Sequence, residues 1–358
     1  MTMSHSTSQS DLKRGSACDW PRTIPRRPRE HRVPSVPRGG MTLLELLVVV
    51  GVMVILLALA LPIMKTGLEG RQTREASRQL STYIELAKAH AAETGRPAGL
   101  QLVTETLPEA DVAENVRFAS RLYLTETPLP YVGDVIHATV QVAQDNSSSP
   151  PTWKLTFGTD SLSLPYIGVT PGDRIRFGFK GPAYEISTVS WTPTYNAWIN
   201  ASTDFPMPPN GTYSYQIYRK PERSSSMPLE LATGAVVDLE YSGFALLGTQ
   251  FAASDPTTGG SVSIIFDPSG SVAYAIIDGV RWEQTDTIHL LVGRIDELMR
   301  DDITTDPEGN LANPDSRWVS IGHQAGKVTV AENGGTEANT ALDVCREFAQ
   351  SAQSMGGR

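Results

Sequence analysis

The chain has 358 residues, with 39 Asp/Glu against 30 Lys/Arg, a net charge of −9 and two cysteines. That length allows one large domain or two smaller ones with ample core. The acidic balance argues against a nucleic-acid-binding body, which needs Lys/Arg to neutralise phosphate. Two cysteines, Cys18 and Cys345, exclude a disulfide-stapled scaffold.

Charge is unevenly placed. Residues 1–40 hold eight Lys/Arg against Asp11, Asp19 and Glu30, and end in Gly39-Gly40. Met41, Thr42, Leu43 and Leu44 follow, then Glu45 at the head of an apolar run. From Leu46 to Met64 no residue is charged. At about 1.5 Å per residue that run covers roughly 29 Å, the thickness of a bilayer interior, and predicts a membrane-spanning helix over 41–64. Basic residues before such a span keep that side cytoplasmic. A secretory signal peptide is the competing reading, because Ala58-Leu59-Ala60 fits a small-residue cleavage site. The length of the run and the acid inside it oppose this. A carboxylate in an apolar run calls for a partner; snorkelling to headgroups is the alternative.

The Arg38–Met64 pattern resembles the type IV prepilin family, which includes the pseudopilins of type II secretion. The match rests on Gly40 before the cut, an apolar first mature residue, Thr42-Leu43 and Glu45. Met41 departs from the usual Phe, and the leader is long for the family. The resemblance implies prepilin-peptidase cleavage between Gly40 and Met41, with N-methylation of Met41. It implies that Thr42, Leu43 and Glu45 serve assembly, Glu45 pairing with the α-amine of Met41 on a neighbouring subunit. Pro62 falls where pilins place a helix kink.

After Pro62 the chain turns polar, and an apolar face resumes at Ala76, Leu80, Tyr83, Ile84, Ala87 and Ala91. It predicts that the helix continues over 65–95 and ends at Gly95-Arg96-Pro97. Residues 96–335 read as β, with candidate strands at 133–145, 153–158, 173–179, 184–191, 212–220, 235–241, 261–266, 271–277, 287–292, 318–322 and 327–330. Asp267-Pro268-Ser269-Gly270 reads as a hairpin turn. The fold expected is α+β and pilin-like: a long N-terminal helix, membrane half plus amphipathic half, packed on an antiparallel β-sheet head. Gly95-Arg96-Pro97, Phe266–Gly270, Thr287–Leu290 and Gly326-Lys327-Val328, in that order, resemble minor pseudopilins of the GspH/FimT type. The head is larger than is usual for that type, and 126–227 reads as an insertion. Its aromatics Tyr184, Trp191, Tyr195 and Trp198 fit the core of a small β unit better than a binding surface. A tail, 336–358, carries a short helix with Leu342, Cys345, Phe348, Ala349 and Ala352 on one face.

The six histidines form no metal-like cluster, and no hydrolase, zinc or P-loop motif is present. Asp302, Asp306 and Glu308 lie in an acidic loop that could offer oxygen ligands to Ca²⁺, without EF-hand spacing. A solvated loop is the simpler reading, and no cofactor is expected.

The function expected is therefore structural rather than enzymatic: a minor pseudopilin of a type II secretion pseudopilus. A minor pilin of a type IV pilus and a membrane-anchored periplasmic hydrolase are the alternatives. Expected partners are the prepilin peptidase, other pilins or pseudopilins through the N-terminal helix, and the inner membrane, with no nucleic acid. Expected localisation is single-pass in the inner membrane, leader cytoplasmic and head periplasmic.

Overall fold

The computed structural model describes residues 42–107, 116–147, 149–190, 194–200, 205–246, 251, 260–283, 286–298, 309–334 and 341–354. The side chains of 59–69, 165, 353 and 354 fall outside that description. The chain divides into two compact units, residues 1–58 and 59–358.

Helix α1 runs from Leu43 to Thr94 and belongs in part to each unit. In the first unit every large apolar side chain from Leu43 to Leu57 is exposed. In the second, Ala76, Leu80, Ile84, Ala87 and Ala91 are fully buried and Tyr83 nearly so, at the helical spacing read from the sequence. Gly95 ends the helix in the left-handed region (φ 63°), which a residue without Cβ adopts at no steric cost.

Pro97 then turns the chain into β1 (Ala98–Val103), followed by β2 (Glu105–Leu107), β3 (Val116–Ala119) and β4 (Arg121–Glu126). A run of six strands comes next: β5 (Thr139–Asp145), β6 (Thr152–Phe157), β7 (Arg174–Phe177), β8 (Ala183–Ser190), β9 (Asn196–Asn200) and β10 (Gly211–Tyr218). A single turn, α2 (Leu164–Ile167), lies between β6 and β7. The chain returns through β11 (Glu222–Arg223), β12 (Leu229–Glu230), β13 (Ala235–Phe244), β14 (Ser261–Phe266), β15 (Val272–Ile277) and β16 (Val280–Trp282). It closes with β17 (Ile288–Arg294), β18 (Arg317–Ile321), β19 (Val328–Glu332) and helix α3 (Leu342–Ser354).

Strands β5 to β10 close into a barrel in the order β10-β5-β6-β9-β8-β7. Closure depends on β10, whose first half pairs with β5 and whose second half, from Tyr215, pairs with β7. Alternation fills the interior. Val140, Val142, Leu155, Phe157, Ile175, Ile186, Ile199, Tyr215 and Ile217 point inward, and successive side chains of a strand face opposite sides. The barrel is spliced into the core at one point, for β4 ends at Glu126 opposite Glu222 of β11. Tyr184 and Tyr195 belong to the barrel core; Trp198 is half-buried, and Trp191 lies outside the described residues.

The remaining strands form two antiparallel sheets. One runs β11-β4-β1-β14-β15-β16 with β12 also on β4; the other runs β19-β18-β17-β13-β3-β2. The buried face of α1 shares one core with both, including Leu100, Leu122, Val237, Ile264, Phe266, Leu290 and Val319. Polar contacts fix its height: Thr73 Oγ1 donates to Asp315 O (2.8 Å) and Lys88 Nζ to Gly326 O (2.8 Å). The β1–β14 approach is close. A Cβ on Gly99 would stand 2.0 Å from Ile264 O, so Gly99→Ala should separate the two strands and cost more than about 2 kcal/mol in urea unfolding. An unchanged midpoint would refute that reading.

The fold class is thereby corrected. The described residues hold nineteen strands against three α-helices, two of them of 4 and 13 residues, so the chain is mostly β rather than α+β. The head is two sheets plus a closed barrel, where one antiparallel sheet was expected; barrel closure depends on pairings between strands distant in sequence, to which local periodicity is blind. The membrane half of the helix is corrected too. Among the described residues no helix is long and apolar enough to cross a membrane. The apolar stretch carries Glu45 in the first turn of the helix. The expected transmembrane span and the single-pass inner-membrane localisation with a periplasmic head are withdrawn on that finding. In α3, Cys345 and Ala349 are buried, whereas Phe348 is half-exposed instead of sharing their face.

Candidate functional sites

Two places in the chain gather chemistry, and they lie in different units. The first is the start of α1. Glu45 N–H bonds both the carbonyl (3.0 Å) and the hydroxyl oxygen (3.3 Å) of Thr42. Thr42 is thus the N-cap and Glu45 the third helical residue, the S/T-x-x-E spacing of a capping box. A carboxylate in the first turn also suits the positive end of the helix dipole. This gives Thr42 and Glu45 a local role that the sequence reading missed, although Thr-x-x-Glu was there to be read. Leu43, beside them, is 83 % exposed. Gly40 and Met41 lie outside the described residues, as do Asp302, Asp306 and Glu308; the side chain of Pro62 does too, and the helix backbone runs through it unbroken. Among the described residues no group of three or more His, Cys, Asp or Glu could hold a metal ion.

The second place is a cleft of about 320 Å³ in the second unit. One wall is the barrel (β7, β8 and the end of β10); the other is β15, β16 and the corner after α1. Six basic side chains line it, Arg96, Arg174, Arg176, Arg219, Lys220 and Arg281, against the single carboxylate of Glu185. Tyrosines, prolines and small or aliphatic residues supply the rest of the walls.

The backbone positions these cations in recognisable ways. Arg174 and Arg176 are two apart on β7, so they share the barrel's outer face while Ile175 and Phe177 fill its interior. Arg219 and Lys220 follow β10 directly. The Lys220 N–H is held by Asp173 Oδ1 (2.8 Å), whose other oxygen accepts from Thr170 N–H (2.7 Å). Burial pushes the Asp173 carboxyl up in spite of these donors.

Two arginines stack on tyrosines from opposite walls. Arg176 Cζ lies 5.1 Å from the Tyr218 ring centre, with its Nη1 donating to the Tyr218 hydroxyl (3.0 Å). Arg281 Cζ lies 3.5 Å from the Tyr274 ring centre. Compensation by acids is partial. Arg174 and Arg281 share one oxygen of Glu283, at 3.6 and 3.4 Å, and Arg219 meets Glu222 at 3.0 Å. Arg96 donates to the Thr127 carbonyl (3.2 Å). Among the described residues, Arg96, Arg176 and Lys220 join no ion pair, and the Nε–H groups of Arg174, Arg176 and Arg219 are buried without an acceptor. Burial, joined by the charge of Arg174, holds the Arg281 guanidinium below its ordinary pKa. The sequence reading passed over this cluster, whose members span 96 to 281. Its one local signal was Arg-Ile-Arg in a strand followed by Arg-Lys at the end of another.

A scan against family models and searches of curated proteins and of solved structures each find no match to this chain.

Proposed function

We propose that this chain is a structural subunit of a pilin-like filament, a minor pseudopilin of a type II secretion pseudopilus. In this reading the prepilin peptidase cuts between Gly40 and Met41 and methylates the new amine. The observation that carries the reading is the first unit's part of α1. Every large apolar residue from Leu43 to Leu57 is at least 44 % exposed on the single chain, around one exposed carboxylate at the helix start. An apolar surface of that kind calls for cover, and the matching helices of neighbouring subunits supply it. Glu45, facing a neighbour's Met41 amine, then sets the axial register, because a desolvated carboxylate is compensated only when paired. The work is mechanical and needs no catalytic group.

Intact-mass and N-terminal analysis of protein from cells with active prepilin peptidase should show a chain starting at N-methylated Met41. An intact leader, or a start near Leu61, would sink the reading. Glu45→Ala should leave cleavage unchanged and lower incorporation into filaments at least tenfold. Glu45→Gln keeps a capping residue but removes the charge, and should be equally defective. If Gln restores incorporation, capping rather than ion pairing explains Glu45. Loss of twitching with secretion intact in a deletion strain would move the subunit to a type IV pilus.

A further inference from the structure

We propose that the basic cleft between the barrel and β15–β16 is a recognition site for an acidic polypeptide segment, binding two of its carboxylates at once. The chain as a whole is acidic, so six basic side chains against the carboxylates of Glu185, Glu222 and Glu283 are a local reversal of its charge. Three of the six join no ion pair among the described residues, and two others divide a single Glu283 oxygen. Guanidinium forks favour bidentate carboxylate or phosphate partners.

The layout selects a chain-like ligand over a lone ion. Arg176 on Tyr218 and Arg281 on Tyr274 present charge from opposite walls; the Glu283 carboxylate reaches Arg174 and Arg281 together, which leaves Arg96, Arg176 and Lys220 for further acidic groups of a longer ligand. Stacking on tyrosine holds each guanidinium in place before the ligand arrives, which lowers the ordering cost of binding. The cleft is also lined by apolar groups, including Pro97, Pro221 and Ile276. Such a surface suits the backbone and aliphatic stems of an extended peptide and offers little to hydrated phosphate. A volume of about 320 Å³ is at the low end for ligand sites and fits a few residues of extended chain.

The test is fluorescence anisotropy with a labelled eight-residue peptide of Asp and Glu spaced by Pro and Gly, titrated with the full chain. The same peptide with Asn and Gln is the control, and inorganic phosphate and succinate are competitors. The acidic peptide should bind, weaken at least fivefold between 50 and 300 mM salt, and lose at least tenfold in affinity in Arg176→Gln/Lys220→Gln. Arg281→Gln, on the opposite wall, should lose a similar factor. Thermal melts of the variants within a few degrees of the parent certify folding; Arg71→Gln, outside the cleft, should bind as the parent does. Equal binding of the amide peptide, unchanged affinity in the cleft variants, or displacement by phosphate as readily as by unlabelled acidic peptide would overturn the proposal. This outcome is separate from the filament reading, which depends on α1 alone.

Discussion

Arg346→Ala should lower the thermal midpoint by on the order of 10 °C and open Cys345 to thiol reagents. Arg346 lies in α3 and is completely buried, yet no carboxylate faces it in an ion pair among the described residues. Its charge is held by backbone. Nη2 donates to Tyr241 O (2.7 Å), and Nη1 to Phe244 O, Ala245 O and Leu246 O (3.3, 3.1 and 3.4 Å). Those carbonyls converge where β13 ends, with Ala245 in the left-handed region (φ 52°). Burial pulls the guanidinium pKa down to about 10, so it stays charged at neutral pH.

Truncation removes four bonds to carbonyls, two of them buried and two part-buried, a loss of about 3–5 kcal/mol. At roughly 2–4 °C per kcal/mol for a domain of this class, that is a fall of order 10 °C. Cys345 reports the same event locally. It is buried beside Trp318 and Leu291, and burial pushes its thiol up to about 11. In a Cys18→Ser background, slow labelling in the parent and fast labelling in Arg346→Ala are expected. A midpoint within 2 °C of the parent, with Cys345 still protected, would show that α3 does not depend on this residue.

Two buried groups in the same sheet should give opposite pH dependences that cancel in the parent. Asp238 is almost fully buried on β13; Oδ2 accepts from Asn310 Nδ2 and Oδ1 from Glu240 N–H, both at 3.0 Å. Desolvation outweighs these donors and raises its pKa from 3.8 to about 7. The folded state therefore holds a proton that the unfolded state releases. Stability from Asp238 is complete below about pH 4 and is lost as pH rises through 7.

His289, on the neighbouring strand β17, is fully buried, with Nδ1 2.9 Å from Ser320 Oγ. Burial first, and then the charge of Arg346, lowers its pKa from 6.5 to about 3. Its folded form is neutral, so its contribution is complete above pH 6.5 and is lost as pH falls toward 3. Between pH 4 and 6.5 the two slopes are equal and opposite, about 1.4 kcal/mol per pH unit each.

The Asp238 and His289 contributions to urea stability should accordingly nearly cancel over that window in the parent. In Asp238→Asn, stability should rise with pH by about 1.4 kcal/mol per unit. In His289→Asn it should fall by the same amount as pH rises, up to about pH 7. Parallel profiles in all three proteins would remove both assignments. Asp238→Asn should also cost about 1 kcal/mol near pH 4, because an amide nitrogen cannot accept the bond that an oxygen accepts.

The Asn310 that meets Asp238 is part of a clamp the sequence did not foreshadow. Its Oδ1 accepts from Arg294 N–H (2.7 Å). Asn333 Nδ2 donates to the carbonyls of Leu311 and Asn313, and its Oδ1 accepts from Trp318 Nε1 (3.0 Å). Two asparagines thereby tie the segment 309–316 to β13 and β18. Nothing in their local sequence distinguishes them from surface turn residues; only the approach of distant strands buries them.

What the sequence by itself determined was local. The 3.6-residue spacing of Ala76, Leu80, Ile84, Ala87 and Ala91 picked the buried face of α1, because residues three and four apart share one side of a helix. Gly95 and Pro97 marked its end, and Asp267–Gly270 marked a hairpin whose Asp267 Oδ1 does accept from the N–H groups of Ser269 and Ser271. Alternation placed most strands, including the β7–β8 hairpin. It missed β2, β3, β4, β9, β11, β12 and β16, short strands of two to six residues, several of which are ordered by partners far along the chain.

Only the tertiary structure decided that six strands close into a barrel, that the head is built from two sheets, and that basic residues from 96 to 281 meet in one cleft. It also decided that the Arg346 charge is solvated by backbone carbonyls rather than paired with an acid among the described residues. Each of these rests on contacts between residues far apart in the chain, whose geometry is set by packing and strand register. Composition and periodicity carry information over a few turns of helix or one hairpin, and these contacts lie beyond that range.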